Sequence, residues 1–200
     1  MFKIYRSLVM SAAVLALTGC AFSSEKIDVN YTPAANPTVI AGASDIRVDV
    51  RINDVRARTD RVGSRTNGYG SELGAIALNQ DVSTLIENAI ETELRNRGYK
   101  LEGGKVVVQV EVHDFYNRFQ TGFWSGTATS SVRLNVKIKD AGGNFIFSEM
   151  IAGQGTKESV QMMTGKNAKP TLEEALKNAM TSLFARDDFY AAIAKASASY

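Results

Sequence analysis

The sequence predicts an α+β fold: a small antiparallel or mixed sheet of four to five strands, with two main helices packed on one face. Two observations carry this. Apolar residues alternate with polar ones at Ile46, Val48, Val50 and Ile52, at Val106, Val108, Val110 and Val112, and at Val132, Leu134, Val136 and Ile138. That period of two marks half-buried strands. Two other stretches repeat every three or four residues: Val82, Leu85, Ile86, Ala89, Ile90 and Leu94, then Leu172, Ala175, Leu176, Ala179, Met180, Leu183 and Phe184. Each is an apolar stripe on a helix. Strands wet on one face need cover on the other, and the helices supply it.

Taken in order, the first strand covers Ile46–Ile52, and a glycine-rich connection with Gly63, Gly68, Gly70 and Gly74 follows. The short run Ala75–Leu78 is a possible second strand. Asp81 stands where a helix cap is wanted and Gly98 where a helix stops. Asp140-Ala141-Gly142-Gly143-Asn144 is turn chemistry between the third alternating stretch and a strand from Phe145. After Pro170, Thr171 and Glu174 have capping-box spacing, so the second main helix is expected to open at Thr171. A shorter helix is expected from Asp188 to Ile193.

The N-terminus has a different character. Lys3 and Arg6 precede an apolar stretch, Leu8–Leu17, interrupted by Ser11, and Leu17-Thr18-Gly19-Cys20 closes it. A basic flank, a short apolar core and small residues at the end make a cleavable secretory signal. The run falls short of the roughly 20 residues a spanning helix needs. Leu17-Thr18-Gly19-Cys20 resembles a bacterial lipobox, which implies cleavage between Gly19 and Cys20 and lipid attachment at Cys20. Two or more acyl chains there would anchor the protein stably. Ala21 follows the cysteine where enteric sorting would need Asp for inner-membrane retention. Outer-membrane location with the body facing the periplasm is therefore expected.

Three regions follow: a signal peptide (1–19), a lipidated cysteine with a flexible tether (20–44), and one α+β domain (45–200). The tether assignment rests on Pro33, Pro37 and the lack of apolar periodicity; a flexible chain of that length reaches roughly 25–30 Å. The chain is 44% hydrophobic and 22% charged, which excludes disorder throughout. Removing residues 1–19 takes two from the 23 basic side chains and leaves them level with the 21 acidic ones. A neutral body lacks the basic excess that phosphate backbones demand, so no nucleic-acid partner is expected.

Val50-Arg51-Ile52-Asn53-Asp54-Val55-Arg56, then Asp60-Arg61-Val62-Gly63, and later Asn96-Arg97-Gly98-Tyr99-Lys100-Leu101, together with the lipobox and the element order, resemble the YajG family of bacterial lipoproteins. The resemblance implies an outer-membrane-type lipoprotein and carries over no enzymatic activity and no catalytic residue.

Candidate chemistry is sparse. Cys20 is the sole cysteine and His113 the sole histidine, so sites built on several Cys or His are excluded. Strand alternation places His113 on a polar surface. The glycine-rich stretch lacks the Gly-Lys-Ser/Thr ending of a phosphate loop. Arginines 47–65 are interleaved with Asp45, Asp49, Asp54 and Asp60 and read as a self-neutralised edge, with Asp54 and Arg56 as possible binding residues. Glu173–Glu174 and Asp187–Asp188 read as acids at helix starts. Residues 115–124 hold Phe115, Tyr116, Phe119, Phe123 and Trp124, five of 17 aromatics. Phe119, Phe123 and Trp124 are therefore binding candidates at a hairpin tip.

The function expected is a non-catalytic binding or accessory module of the envelope. It has no cofactor and no metal, touches the membrane through its anchor, and meets an envelope protein or glycan. The alternatives are a hydrolase acting on peptidoglycan and a carrier of lipid or lipopolysaccharide.

Overall fold

The computed structural model describes residues 24–199 except Glu102. The signal segment, Gly19 and Cys20 lie outside the described residues. Among the described residues eight strands run β1 (Glu25–Ile27), β2 (Arg47–Asp54), β3 (Gly63–Thr66), β4 (Glu72–Leu78), β5 (Lys100–Leu101), β6 (Val106–Gln120), β7 (Gly126–Lys139) and β8 (Phe145–Val160). The α-helices among the described residues are α1 (Val82–Asn96), α2 (Gly165–Phe184) and α3 (Asp187–Ala198). The α+β class is as expected.

The main sheet has the order β5-β2-β6-β7-β8. β2 runs parallel to β5 and β6, while β6, β7 and β8 form an antiparallel meander. Val48 and Val50 of β2, Val106 to Val112 of β6 and Val132 to Ile138 of β7 turn their alternate side chains into one buried face. All three helices contribute to the same core cluster as these strands. On the opposite face Glu111 meets Lys137 at 2.7 Å and His113 at 3.5 Å, and His113 is exposed to solvent as expected. Lys137 holds the Glu111 carboxyl below its usual range.

A bulge between Val112 and Asp114 shifts the register of β6 against β7. Buried positions on β6 therefore change from even to odd numbers, and Phe115 and Asn117 enter the core. Such a bulge re-aims every later side chain on its strand. β8 shows the opposite economy. A Cβ built on Gly153 would lie 2.1 Å from the Ala175 carbonyl oxygen, and one on Gly155 2.2 Å from that of Thr171. Helix α2 thus rests directly on the β8 backbone. Its side chains also reach the exposed edge of β8: Thr156 N–H donates to Glu174 Oε2 at 3.1 Å and Asn178 Nδ2 to the Gln154 carbonyl at 2.7 Å. These contacts occupy edge groups that would otherwise template pairing.

Four expectations are corrected. A second, three-stranded sheet of order β1-β4-β3 exists, and the glycine-rich stretch forms its β3–β4 hairpin. From Glu25 onward the expected tether is part of the fold: β1 pairs in parallel with β4, and Ile27, Val29 and Ala43 are buried in the core. A three-residue strand is too short to show periodicity, and its partners lie about fifty residues away. Helix α2 opens at Gly165, with Pro170 inside it. The Thr171 hydroxyl is buried and donates to the Ala168 carbonyl at 2.8 Å, so it caps nothing. Last, Glu173 and Glu174 lie inside α2, and Glu173 accepts the Asn30 amide at 3.0 Å.

Candidate functional site

Asp54 and Arg56 stand where β2 leaves the main sheet. Arg56 Nη2 and Nε donate to the two Asp54 oxygens at 2.7 and 2.9 Å, while Nη1 donates to the Arg61 and Phe115 carbonyls at 3.1 and 3.3 Å. The Arg56 side chain is 5% exposed and that of Asp54 16%. A planar guanidinium suits this paired recognition, and here the acceptors are the protein's own. Arg56 ties the strand end to the following loop and to β6. Other members of the arginine run behave as a self-neutralised edge: Arg51 pairs with Asp49 at 2.8 Å, and Arg61 with Asp60 at 2.9 Å and Glu72 at 2.6 Å.

These residues border an open cleft of about 470 Å³ at the seam between the two sheets, lined by Lys26, Asp54, Arg56, Arg61, Gln80 and Asp81 among others. Arg61 donates a hydrogen bond to Asp60, and this holds the Asp60 carboxyl below its ordinary range. Asp81 precedes α1 with extended backbone and makes no side-chain cap. Sequence reading found Asp54 and Arg56 but missed Lys26, Gln80 and Asp81, because three separate segments supply the walls.

A second polar cluster is internal. Glu93 is 2% exposed; it accepts hydrogen bonds from the Tyr31 hydroxyl, the Ala34 amide and Arg97. Arg97 also donates to Tyr190 Oη at 2.8 Å and stacks 4.6 Å over the Phe184 ring. Burial, then the Glu93 bond, pushes the Tyr31 phenol well above its usual value. Burial raises Tyr99 to about 12. A buried charge needs partners of this kind, and these fasten residues 31–34 onto α1 and the C-terminal helices. Glu93 and Arg97 extend the stripe of Ile86, Ala89 and Ile90, and that placement was the signal in the sequence.

The aromatic segment divides, and its three binding candidates do not act together. Phe115 is buried and Phe119 packs against the core. Phe123 and Trp124, in the β6–β7 turn, are 91% and 89% exposed. Their rings meet edge to face with centroids 4.9 Å apart. A Cβ on Gly122 would lie 2.3 Å from the Ser125 carbonyl oxygen, so the turn that presents them requires glycine. Among the described residues no three His, Cys, Asp or Glu side chains gather to hold a metal ion. No helix among them is long and apolar enough to cross a membrane.

Comparison with known proteins gives likeness of fold first. Protein XCC0632 from Xanthomonas campestris matches with a TM-score of 0.57 and 14% identity, over 81% of this chain and 92% of that one. A minor lipoprotein from Acinetobacter baumannii matches with a TM-score of 0.41 and 11% identity, over 74% and 94%. No curated protein matches the sequence. Residues 33–194 match the family described as "Uncharacterized lipoprotein", and over that span the chain belongs to this family of bacterial lipoproteins.

Proposed function

We propose that this is an outer-membrane lipoprotein of the YajG type, held by lipid on Cys20 with its body in the periplasm, and that it works by binding rather than catalysis. The observation that carries the binding reading is the cleft of about 470 Å³ at the seam of the two sheets. Its lining carries both signs of charge, which suits a charged segment of an envelope protein or a peptide-bearing glycan. Two of its three acids are poorly suited to hydrolysis. Both oxygens of Asp54 are taken by Arg56, and Asp60 is shifted down by Arg61, whereas a general acid needs its carboxyl shifted up. A charged lining is equally poor for an acyl chain, which disfavours the carrier alternative.

A photoreactive residue placed at Ser83, on the cleft wall, tests the reading in the native envelope. The expected result is an adduct with one envelope component, together with no release of soluble fragments from peptidoglycan by the purified protein. Fragment release above buffer would replace binding with hydrolysis.

A further inference from the structure

Four of the five most exposed large apolar side chains among the described residues are Tyr69 (96%), Phe123 (91%), Trp124 (89%) and Met162 (67%). They come from three separate turns, yet the backbone brings those turns to one end of the molecule. Thr66, three residues before Tyr69, bridges to Met163, with Thr66 N–H donating to the Met163 carbonyl at 3.4 Å. Met163, beside Met162, reaches Gly126, where an added Cβ would lie 2.7 Å from its Cε. Gly126 closes the turn that carries Phe123 and Trp124. Isolated exposed apolar residues are ordinary, but a gathering of large ones marks a contact surface.

The same end receives the chain from its N-terminus. β1 runs parallel to β4, with Glu25 opposite Ile76 and Ile27 opposite Leu78. The chain therefore enters β1 from the side of the Asn67–Ser71 turn that presents Tyr69. Glu25 itself accepts the Gly165 amide at 2.8 Å, two residues past Met163. Five peptide units separate Cys20 from Glu25, and a fully extended chain of that length spans at most roughly 18 Å. Lipid on Cys20 would hold this end within that distance of the bilayer. From Glu25 the chain is already part of the fold, so only the residues between it and Cys20 separate the body from the lipid.

Resting on the proposed lipidation of Cys20, we infer that this end of the body lies against the membrane surface, with Tyr69, Phe123, Trp124 and Met162 seated among the lipid headgroups. Tryptophan and tyrosine favour that layer because each has an apolar body and a polar handle. Exposed Lys157 and Lys166 flank the patch, and exposed Glu158 partly offsets them. Apolar insertion therefore carries the contact, and anionic lipid or salt should matter little. With one end on the lipid, the body has a fixed orientation rather than a swinging one.

Trp124 is the only tryptophan, so its fluorescence reports this contact directly. Mature lipidated protein would be reconstituted in vesicles of phosphatidylethanolamine and phosphatidylglycerol, with and without lipid brominated near the headgroup. The expected result is co-flotation with the vesicles, blue-shifted emission, and loss of emission to brominated lipid. Tyr69→Ser with Phe123→Ser should reverse the blue shift while flotation persists. Flotation with unshifted, unquenched Trp124 would overturn the membrane seat and leave the anchor standing. Failure to float would overturn both. Crosslinking from a photoreactive residue at Phe123 to a protein in native membranes, with Trp124 unshifted in protein-free vesicles, would assign the patch to a protein partner and overturn the lipid contact.

Discussion

The first side chain of the first strand caps a helix 140 residues later: Glu25 Oε2 accepts the backbone amide of Gly165 at 2.8 Å. Helix α2 has no local side-chain cap at Thr164, and its first amides need acceptors. A carboxylate also complements the positive end of the helix dipole. The small outer sheet and the main helical layer are joined at this point.

Replacing Glu25 with Ala should therefore act as the loss of a cap. The expected cost is about 0.5–2 kcal/mol, read as a lower denaturation midpoint with an unchanged slope. Glu25→Gln, which keeps an acceptor, should recover part of it. A Glu25→Ala variant as stable as the parent would show that the contact stabilises nothing.

Removal of residues before Ser44 should damage the body. The deletion takes away β1, the buried Ile27 and Val29, and the Tyr31 hydroxyl and Ala34 amide that face Glu93. Glu93 would be left buried with fewer partners, which is costly. We expect loss of a single cooperative thermal transition in that truncation, and its retention in a chain beginning at Ser24. Equal melting of the two would return residues 24–43 to the role of a tether.

Arg56→Met should destabilise by about 3 kcal/mol, because it leaves the partly buried Asp54 without its counter-charge. Asp54→Asn with Arg56→Met should be milder than the single change, since no unpaired charge remains. Chemical denaturation of the three variants gives the comparison. Equal stability of Arg56→Met and the parent would reopen Arg56 as a residue kept for ligand contact.

Alkaline pH should loosen the N-terminal latch. Tyr31 and Tyr99 both have phenols raised in the folded state. A raised pKa means that folding favours the protonated form, so the contribution is fully present below the ordinary phenol value of about 10. It is lost as pH climbs through the folded values, about 12 for Tyr99 and higher for Tyr31. Stability should fall above pH about 10, and Tyr31→Phe should flatten that fall. At neutral pH the same variant should cost about 1–3 kcal/mol, because Glu93 loses a buried donor. Melting curves taken across pH test the slope, and an unaltered alkaline slope in Tyr31→Phe would remove Tyr31 from the linkage.

Elements whose physics is local are legible in the chain's own pattern. Alternation at Val106–Val112 and Val132–Ile138 specified strands with one wet face, because a side chain two residues on returns to the same side. The stripe from Val82 to Leu94 specified α1, and Gly98, with φ at 97°, stopped it where only glycine is at ease. Asp140 to Asn144 specified the turn into β8.

Features that depend on partners far along the chain emerge only in the folded molecule. β1 is a strand because β4 offers it an edge, and three residues carry no pattern of their own. Gly153 and Gly155 look like weak strand positions until α2 settles on them with its backbone. Phe115 and Phe119 were indistinguishable from Phe123 and Trp124 by composition. The bulge after Val112 and the length of β6 sent the first pair inward and left the second pair in water. Asp54 and Arg56 were visible as a charged pair, but which way they faced depended on the carbonyls of Arg61 and Phe115. A guanidinium turns toward whichever acceptors the fold brings within reach, and that distance is not written in neighbouring residues.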